Sequence, residues 1–388
     1  MFTPNQLKEG PLHNIIVVDL TRQLAGPQST RVLADLGAKV IKVEQTNSTG
    51  DTVAANKPFF AWIINNKERI SLDLRSDLGK QQLDELLKHS DVLVENFKPG
   101  VIGKMGYSWD VVHKKFPKLI MCSVSGFGQT GPWTSRPAMD VIIQAMSGLM
   151  SMTGYHDKPP VGAGPPIADV TAGLYGAIGI LGALFGRQHT GIGSYVDIGM
   201  LDVMNSIVAP LTQRTMNNHP GFENGNQPQR MGSSSRSGAP FDVYRCKSNT
   251  YIGLIGIQPH FYESICDVIN KPEMKADADK RFKTSGHRRK NYHIFKPLLE
   301  DALSGRTADE WMGLFSKAGV PCGKVNTLLE AIHEPQLNAR NMLTEVTDDN
   351  SFKGIQLMAS PINITGWEKR KAWIKDQDAD GEKYRSKM

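Results

Sequence analysis

The chain has 388 residues, of which 40% are hydrophobic and 22% are charged, as in ordinary globular proteins. Because single hydrophobic cores stop growing near ~250–300 residues, we expect about two domains. The 45 basic and 39 acidic residues leave a net charge of +6, and a basic cluster occurs only at Lys280–Arg289. A nucleic-acid surface would be denser and interleaved with aromatic residues, so the excess fits a phosphorylated small molecule at least as well.

Cysteine spacing and the N-terminal segment indicate a reducing compartment. The cysteines are too far apart for a C-x-x-C pair and too few for a disulfide framework: Cys122, Cys246, Cys266 and Cys322. Residues 1–10 show no secretory signal, so a cytoplasmic location is expected. The apolar stretch Val170–Gly186 approaches the length of a membrane span, but its glycines favour a buried helix, and no membrane partner is expected.

The first two hundred residues alternate short β-branched runs with helical stretches. The predicted strands are Ile15–Leu20, Lys39–Val43, Ile70–Leu74, Asp91–Val94 and Leu119–Val124, and the predicted helices are Pro27–Leu36 and Leu78–Lys88. This alternation predicts an α/β fold with a doubly wound, mostly parallel sheet. Ligands of such sheets bind beyond the carboxyl ends of the strands. The loops expected there are polar or rich in glycine: Thr21–Pro27, Glu95–Gly100 and Ser125–Gly128.

Between Asn217 and Gly238 the composition shifts to Asn, Pro, Gly, Ser and Gln, which marks a domain boundary or a long functional loop. We therefore predict a large Rossmann-like domain at 1–216, a smaller α+β domain at 217–325, and a C-terminal segment at 326–388 that returns to the large domain. The predicted elements beyond the boundary are strands at Phe241–Tyr244, Tyr251–Ile255, Ile355–Met358 and Ile362–Ile364, a helix around Phe261–Ile269, and a charged, poorly ordered tail.

Common catalytic motifs find little support. Gly126–Gly131 matches G-x-G-x-x-G after a strand, but Pro132 follows instead of a helix, so a dinucleotide site is not expected. A P-loop is absent, and the scattered histidines lack the spacing of metal ligands, so no metal is predicted. Ser147 lacks the first glycine of a nucleophile elbow.

Asp169 is then the best-placed candidate nucleophile. It follows the proline-broken stretch Gly162–Pro166 and precedes a long apolar run. At a helix start, free N–H groups and the helix dipole would keep its carboxylate ionised, which suits a nucleophile or a base, whereas burial alone would favour protonation. On this segment alone, an ordinary N-cap is the simpler interpretation.

Several ordered blocks decide between these interpretations, namely Val18–Thr21 with Ala25–Pro27, Leu36–Glu44, Asp91–Gly100, Ser125–Pro132 and Ala168–Asp169. Together they resemble the class III CoA-transferases over nearly the whole chain. This family includes formyl-CoA:oxalate and L-carnitine CoA-transferases and the related α-methylacyl-CoA racemases. The resemblance implies an interlocked homodimer in which Asp169 is the catalytic carboxylate. It implies acyl-CoA and a carboxylic acid as substrates, with no tightly bound cofactor.

The resemblance also implies where coenzyme A would bind. Gln23, Leu24 and Ala25 would contact the nucleotide; Asn96, Phe97 and Met105 the pantetheine; and Lys67, Lys104 or Arg136 the phosphates. Gly232–Ser235 resembles the glycine-rich active-site loop of the family in position, and Gly232 is a candidate catalytic residue. An ordinary solvated linker is an equal alternative for that segment.

Two reactions remain open within the resemblance. The racemase branch places a His immediately before the acid matched by Asp140, and this chain has Met139 there, which favours transfer over epimerisation. Asp140 is a candidate supporting carboxylate or an N-cap for Val141–Met150. The block Asp140–Gly148 looks closer to members that act on short acids such as oxalate. A non-catalytic acyl-CoA-binding protein is the remaining alternative.

Overall fold

The computed structural model describes residues 10–46, 51–218, 229–348 and 350–375. Within these ranges the strands are β1 (Ile16–Asp19), β2 (Lys39–Gln45), β3 (Lys67–Leu72), β4 (Val92–Glu95), β5 (Ile120–Ser125), β6 (Tyr195–Gly199), β7 (Phe241–Arg245), β8 (Tyr251–Ile255), β9 (Cys322–Lys324), β10 (Leu343–Glu345) and β11 (Gln356–Met358). The α-helices are α1 (Ala25–Asp35), α2 (Lys57–Ile64), α3 (Asp77–Lys88), α4 (Val101–Lys104), α5 (Trp109–Lys115), α6 (Asp140–Met146), α7 (Leu149–Met152), α8 (Ile167–Thr190), α9 (Met200–Met216), α10 (Pro259–Val268), α11 (Ser285–Lys290), α12 (Tyr292–Leu303), α13 (Ala308–Lys317), α14 (Leu328–Ile332) and α15 (Pro335–Ala339).

The chain divides into two compact units. The first comprises Met1–Ser151, Gly162–Pro228 and Pro335–Met388, and the second comprises Met152–Val161 and Gln229–Glu334. Relative to the predicted bounds, the second unit gains the short segment ahead of Gly162 and continues to Glu334.

The first unit is built on a six-stranded sheet in the order β3-β2-β1-β4-β5-β6, with every neighbouring pair parallel. Successive residues of β1 face opposite sides, as the pleat requires. Val17 is buried in a core with α1, α8 and α9, whereas Val18 is buried in a second core with α3 and α5. Helices therefore cover both faces, and the predicted doubly wound fold is confirmed.

The start of β3 differs from the prediction for a physical reason. The predicted strand begins at Ile70, but the observed strand begins at Lys67. The prediction missed the first three residues because they are charged and do not show the apolar pattern of a strand. All three charges have partners: Lys67 lies 3.0 Å from Asp19, Glu68 lies 3.6 Å from Lys39, and Arg69 lies 2.9 Å from Glu44. The elements α2 and β6 are absent from the sequence prediction.

The long helix α8 packs closely on one side. Within the described residues it is the one helix long and apolar enough to cross a membrane, and 44% of its most apolar window is buried. A Cβ on Gly173 would lie 2.6 Å from the Cβ of Gln28 on α1, so this contact requires glycine. The opposite face carries Ile178 and Phe185, which are exposed. The homodimer stays a prediction, since these contacts belong to a single chain.

The second unit contains the antiparallel sheet β7-β8-β9. Its helices enclose a separate core in which Tyr262, Phe295 and Phe315 are buried. The strands predicted at Phe241–Tyr244 and Tyr251–Ile255 correspond to β7 and β8. The smaller α+β part of the predicted fold is thereby confirmed.

Within the first unit, the C-terminal segment contacts the loops that precede β2 and β3. Arg370 donates a hydrogen bond to the carbonyl oxygen of Gly37 at 2.7 Å, and the N–H of Asn66 donates to that of Trp373 at 3.0 Å. The strand predicted at Ile362–Ile364 does not form in this fully described stretch. Its flanking Pro361 has no N–H to offer a partner strand. The charged tail lies outside the described residues.

Candidate active site

A cavity of about 510 Å³ opens at the carboxyl edge of the parallel sheet. The strand order reverses between β1 and β4, and at such a point the loops that follow the two strands diverge and leave a crevice. Most of the lining comes from the loops after β1, β4 and β5, the segment before α6, and the start of α8, and Val53, Phe59 and Met200 complete it. It includes Gln23, Leu24, Ala25, Asn96, Phe97, Lys98, Ser125, Arg136, Met139 and Asp169.

Asn96 holds the loop after β1 against the loop after β4. Its Oδ1 accepts a hydrogen bond from the N–H of Arg22 at 2.8 Å, and its Nδ2 donates to the carbonyl oxygen of Arg22 at 2.8 Å. A Cβ on Gly26 would lie 2.5 Å from Cγ2 of Thr21 and 3.0 Å from Cγ of Asn96. Glycine is therefore required for the two loops to approach this closely.

Asp169 lies in the first turn of α8, whose N-cap position is Pro166 without a side-chain acceptor. Asp140, at the start of α6, supplies the acceptor instead. Its Oδ1 accepts from the N–H of Ala168 at 2.7 Å and from the N–H of Asp169 at 3.3 Å. A carboxylate from one helix thus satisfies the free N–H groups of another. The N-cap interpretations of Asp169, and of Asp140 for its own helix, do not hold.

The electrostatics of Asp169 follow from this arrangement. Burial, as the larger cause, and the negative charge of Asp140, as the smaller, together raise the pKa of Asp169 from 3.8 to about 6. The sequence pattern predicts the opposite direction, because it assigns the N–H groups of α8 to Asp169. In the structure Asp140 accepts those bonds, so burial and like charge decide the pKa. The carboxylate stays mostly ionised at neutral pH and is more basic than an ordinary Asp.

The residues predicted to contact coenzyme A divide into three groups. Six line the cavity with Asp169, namely Gln23, Leu24, Ala25, Asn96, Phe97 and Arg136. The guanidinium of Arg136 lies 5.0 Å from the ring centre of Trp133 and 5.6 Å from that of Phe127, which restrains the cation beside the cavity. Lys104 and Met105 are not among the lining residues, and Met105 lines a separate cavity of about 230 Å³.

Lys67 forms the third group and needs a correction. Its side chain is fully buried, and its Nζ donates to Asp19 at 3.0 Å, to the carbonyl oxygen of Pro27 at 3.0 Å and to Thr30 at 2.7 Å. Burial would raise the pKa of Asp19, but the charges of Lys42 and Lys67 hold it well below its usual range. Lys67 is therefore part of a buried ion pair under α1, with no surface left for a phosphate.

Two further residues line the cavity although the sequence pattern does not single them out. Lys98 follows β4 and Ser125 ends β5, so both lie in loops predicted at the carboxyl edge. The Ser125 hydroxyl is buried and has no hydrogen-bond partner among the described residues. Their position at the carboxyl ends of strands is the sequence feature from which both residues could have been predicted at the site.

Gly232 lies in the second unit. Its N–H donates to the carbonyl oxygen of Gly154 at 2.9 Å, and its φ of +63° is in the region that favours glycine. Nearby, Ser234 accepts a hydrogen bond from Arg289 at 2.8 Å. The segment is anchored within its own unit, and the catalytic role of Gly232 stays a prediction.

Few groups at the cavity can exchange protons. The ionisable side chains among its lining residues, all of them described, are Lys98, Arg136 and Asp169. Met139, which is 66% exposed, lines the cavity at the position where the racemase branch has an imidazole. In the part of the chain that the structure describes, no group of three His, Cys, Asp or Glu side chains is placed to hold a metal ion. The cavity thus combines one carboxylate with two cations.

Comparison with known proteins shows the family of this chain. The model of CoA-transferase family III matches residues 12–375. The chain belongs to CoA-transferase family III. Among its relatives, the acetyl-CoA:oxalate CoA-transferase of Acetobacter aceti is 36% identical, with 94% of this chain and 92% of the relative covered. The mouse succinyl-CoA:glutarate CoA-transferase is 33% identical, with 87% of this chain and 77% of the relative covered.

A solved structure supports the same membership. A CAIB/BAIF family protein from Brucella suis superposes with a TM-score of 0.87 at 29% identity, covering 98% of this chain and 100% of that protein. The resemblance in the sequence blocks is thereby confirmed. For this member of CoA-transferase family III, the cavity that contains Asp169 is the candidate active site.

Proposed function

We propose that this member of CoA-transferase family III moves CoA from an acyl-CoA thioester to a free carboxylic acid, with Asp169 as the covalent nucleophile. One observation carries the proposal: Asp169 is the sole carboxylate among the described lining residues of the cavity where the strand order reverses. Ligands of doubly wound sheets bind at such crevices.

The reaction divides into two exchanges on the same carboxylate. An oxygen of Asp169 attacks the thioester carbonyl carbon, the C–S bond breaks, and CoA leaves as a thiolate with a mixed anhydride on the enzyme. The thiolate then attacks the Asp169 carbonyl carbon, which releases the donor acid and leaves an aspartyl-CoA thioester. The acceptor carboxylate attacks this thioester, CoA leaves again, and a second anhydride forms. The thiolate finally attacks the acceptor's acyl carbon, which gives the new thioester and frees Asp169.

The raised pKa of Asp169 suits the attacking group. A carboxylate with a pKa of about 6 is more basic than the ordinary aspartate at 3.8, yet it is about 90% ionised at pH ~7. Nucleophilicity rises with basicity as long as the ionised form dominates. Burial therefore activates the carboxylate without removing it from the reactive state.

Short or dicarboxylic acids are the acceptors we propose. The two named relatives carry oxalate and glutarate in their names, and both are dicarboxylic acids. Lys98 and Arg136 line the cavity and have the charge to attract such anions. Epimerisation with Asp169 as base is less well supported, because the thioether of Met139 cannot donate or accept a proton and none of the described lining residues is a histidine.

Mass spectrometry of the intact protein and its peptides tests the proposal. The protein is incubated with acetyl-CoA, succinyl-CoA and formyl-CoA in turn, and hydroxylamine traps the aspartyl anhydride or the aspartyl-CoA thioester as an aspartyl hydroxamate. We expect an adduct on Asp169 with at least one donor, and no adduct in Asp169→Asn. Asp77→Asn is the matched control, because Asp77 is an exposed acid in the first turn of α3 and does not line the cavity.

The alternative reaction has its own signature. The wild type and Asp77→Asn could both be folded, form no adduct with any donor, and yet exchange the α-proton of an acyl-CoA with deuterated solvent. This result would refute transfer and support epimerisation. Binding of CoA with neither an adduct nor proton exchange would indicate a non-catalytic binding protein.

A further inference from the structure

Gln144 is a buried amide behind the candidate nucleophile. It lies on α6, one turn after Asp140, and is 2% exposed. Its Nε2 donates to Oδ2 of Asp140 at 2.6 Å, and its Oε1 accepts from the N–H of Ala163 at 2.8 Å. Both ends of the amide are thus engaged, one by the carboxylate that caps α8 and the other by the loop that leads into α8.

These bonds continue to Asp169 itself. The other oxygen of Asp140 accepts from the N–H groups of Ala168 and Asp169, at 2.7 and 3.3 Å. Gln144 and Asp140 together therefore fix the incoming loop and the first turn of α8 relative to α6. Gln144 thus holds the loop before the turn that carries Asp169, and Asp140 holds the turn itself.

The loop lies tightly against this amide. A Cβ on Gly162 would lie 3.0 Å from Oε1 of Gln144 and 3.2 Å from Cε of Met150. The site needs one donor toward Asp140 and one acceptor toward Ala163, and an amide supplies both. A carboxylate at this position would face the carboxylate of Asp140, and an apolar side chain would leave the buried Asp140 oxygen and the N–H of Ala163 without these partners.

We propose that Gln144 is a positioning residue for CoA transfer, which orients the Asp140 carboxylate and the Ala163 loop so that Asp169 is aimed at the thioester. The inference rests on the proposed function, in which Asp169 forms the covalent intermediate. Gln144 does not line the cavity, so it acts through Asp140 and the loop and not by contact with substrate. Its loss should therefore slow the chemical step and leave the binding of coenzyme A unchanged.

Two variants and one control separate positioning from a merely structural role. Gln144→Glu keeps the size and an acceptor for the Ala163 N–H but loses the donor to Asp140, and Gln144→Met loses both. Ser147→Ala is the control, because Ser147 is buried at the end of the same helix and its hydroxyl donates to the backbone oxygen of Gln144 instead of the side chain.

The measurement is the rate at which the trapped Asp169 adduct forms at saturating acyl-CoA, together with the Kd for free CoA from calorimetry. Misplacement of a reacting group by about 1 Å costs on the order of 100-fold in rate. We expect both Gln144 variants to slow adduct formation by roughly 10- to 100-fold. The Kd should stay within about twofold of wild type, and Ser147→Ala should match wild type in both.

The outcomes distinguish this inference from the proposed function. If wild type forms the adduct and a folded Gln144→Glu forms it at the same rate, positioning by Gln144 is refuted and the transferase proposal stands. A weaker Kd with an unchanged rate at saturation would also refute it. If wild type forms no adduct, both proposals fall together. Gln144→Glu is close to isosteric, so it tests the inference even where Gln144→Met does not fold.

Discussion

Replacing Asp140 by Asn should lower the pKa of Asp169 and move the acid limb of the reaction to lower pH. The pKa of Asp169 rises from 3.8 to about 6, with burial as the larger cause and the charge of Asp140 as the smaller. One pKa unit corresponds to about 1.4 kcal/mol, so the total cost of ionising Asp169 is about 3 kcal/mol. Asp140 accounts for less than half of this, and Asp140→Asn should therefore leave a pKa between ~5 and ~6.

The effect depends on pH in a way that separates charge from geometry. At pH ~7 the ionised fraction of Asp169 changes only from about 90% to about 99%. A large loss of rate at this pH would therefore come from altered hydrogen bonds at the start of α8 and not from charge. At pH ~5 the ionised fraction rises from about 10% to as much as about 50%. Relative to the rate at pH ~8, the variant should therefore react up to about fivefold faster than wild type at pH ~5.

Single-turnover formation of the trapped adduct, followed between pH ~4.5 and ~8, measures this limb directly. Asp77→Asn, which removes an exposed first-turn acid of α3, should give the wild-type profile. An acid limb of Asp140→Asn that stays in place, or that moves to higher pH, would refute the contribution of Asp140 to the raised pKa of Asp169.

Three further outcomes are expected. Asp169→Asn should raise the free energy of unfolding by up to about 3 kcal/mol above pH ~7, because it removes a carboxylate whose ionisation is costly in the folded state. Below pH ~4 the wild-type carboxyl is protonated in both the folded and the unfolded state, so urea titrations there should show no gain. Arg136→Gln should raise the KM for acyl-CoA or acid by roughly 10- to 100-fold with kcat nearly unchanged, since a charge-assisted hydrogen bond contributes about 1.5–3 kcal/mol; a fall in kcat alone would contradict a binding role. Lys67→Met should lower the free energy of unfolding by about 3–5 kcal/mol, because it leaves Asp19 buried without this partner, and should not change the Kd for CoA. A weaker Kd in the folded variant would restore the predicted phosphate contact.

The sheet could be predicted from the sequence where its strands are apolar. The runs that became β1, β2, β4 and β5 are buried on both faces, and such strands leave a continuous hydrophobic signal. The start of β3 could not be read in this way, because Lys67 is neutralised by Asp19, which lies 48 residues earlier in the chain. A sequence pattern over a few neighbouring residues does not show that Lys67 pairs with Asp19.

The candidate site could be predicted in its members but not in its electrostatics. The strand-end rule and the family blocks predict Asp169, Asn96 and Arg136 as site residues, and all three line the cavity. The direction of the Asp169 pKa depends on Asp140, whose carboxylate meets the N–H of Ala168 across a separation of 28 residues. The role of Gln144 depends on a loop 19 residues away. Tertiary hydrogen bonds decide both properties, and the spacing of residues along the chain does not reveal them.

The start of α8 illustrates how two neighbouring carboxylates acquire different properties. A helix N-terminus has a limited set of free N–H groups, and those that one carboxylate accepts are not free to bind another. Here Asp140 accepts them, so Asp169 is left with burial and a nearby negative charge, which raise its pKa to about 6. If Asp169 accepted these bonds itself, it would be a weaker base and a poorer nucleophile, although the folded state would be more stable. The second bond of Asp140, to Gln144, favours the arrangement that activates Asp169 at the expense of stability.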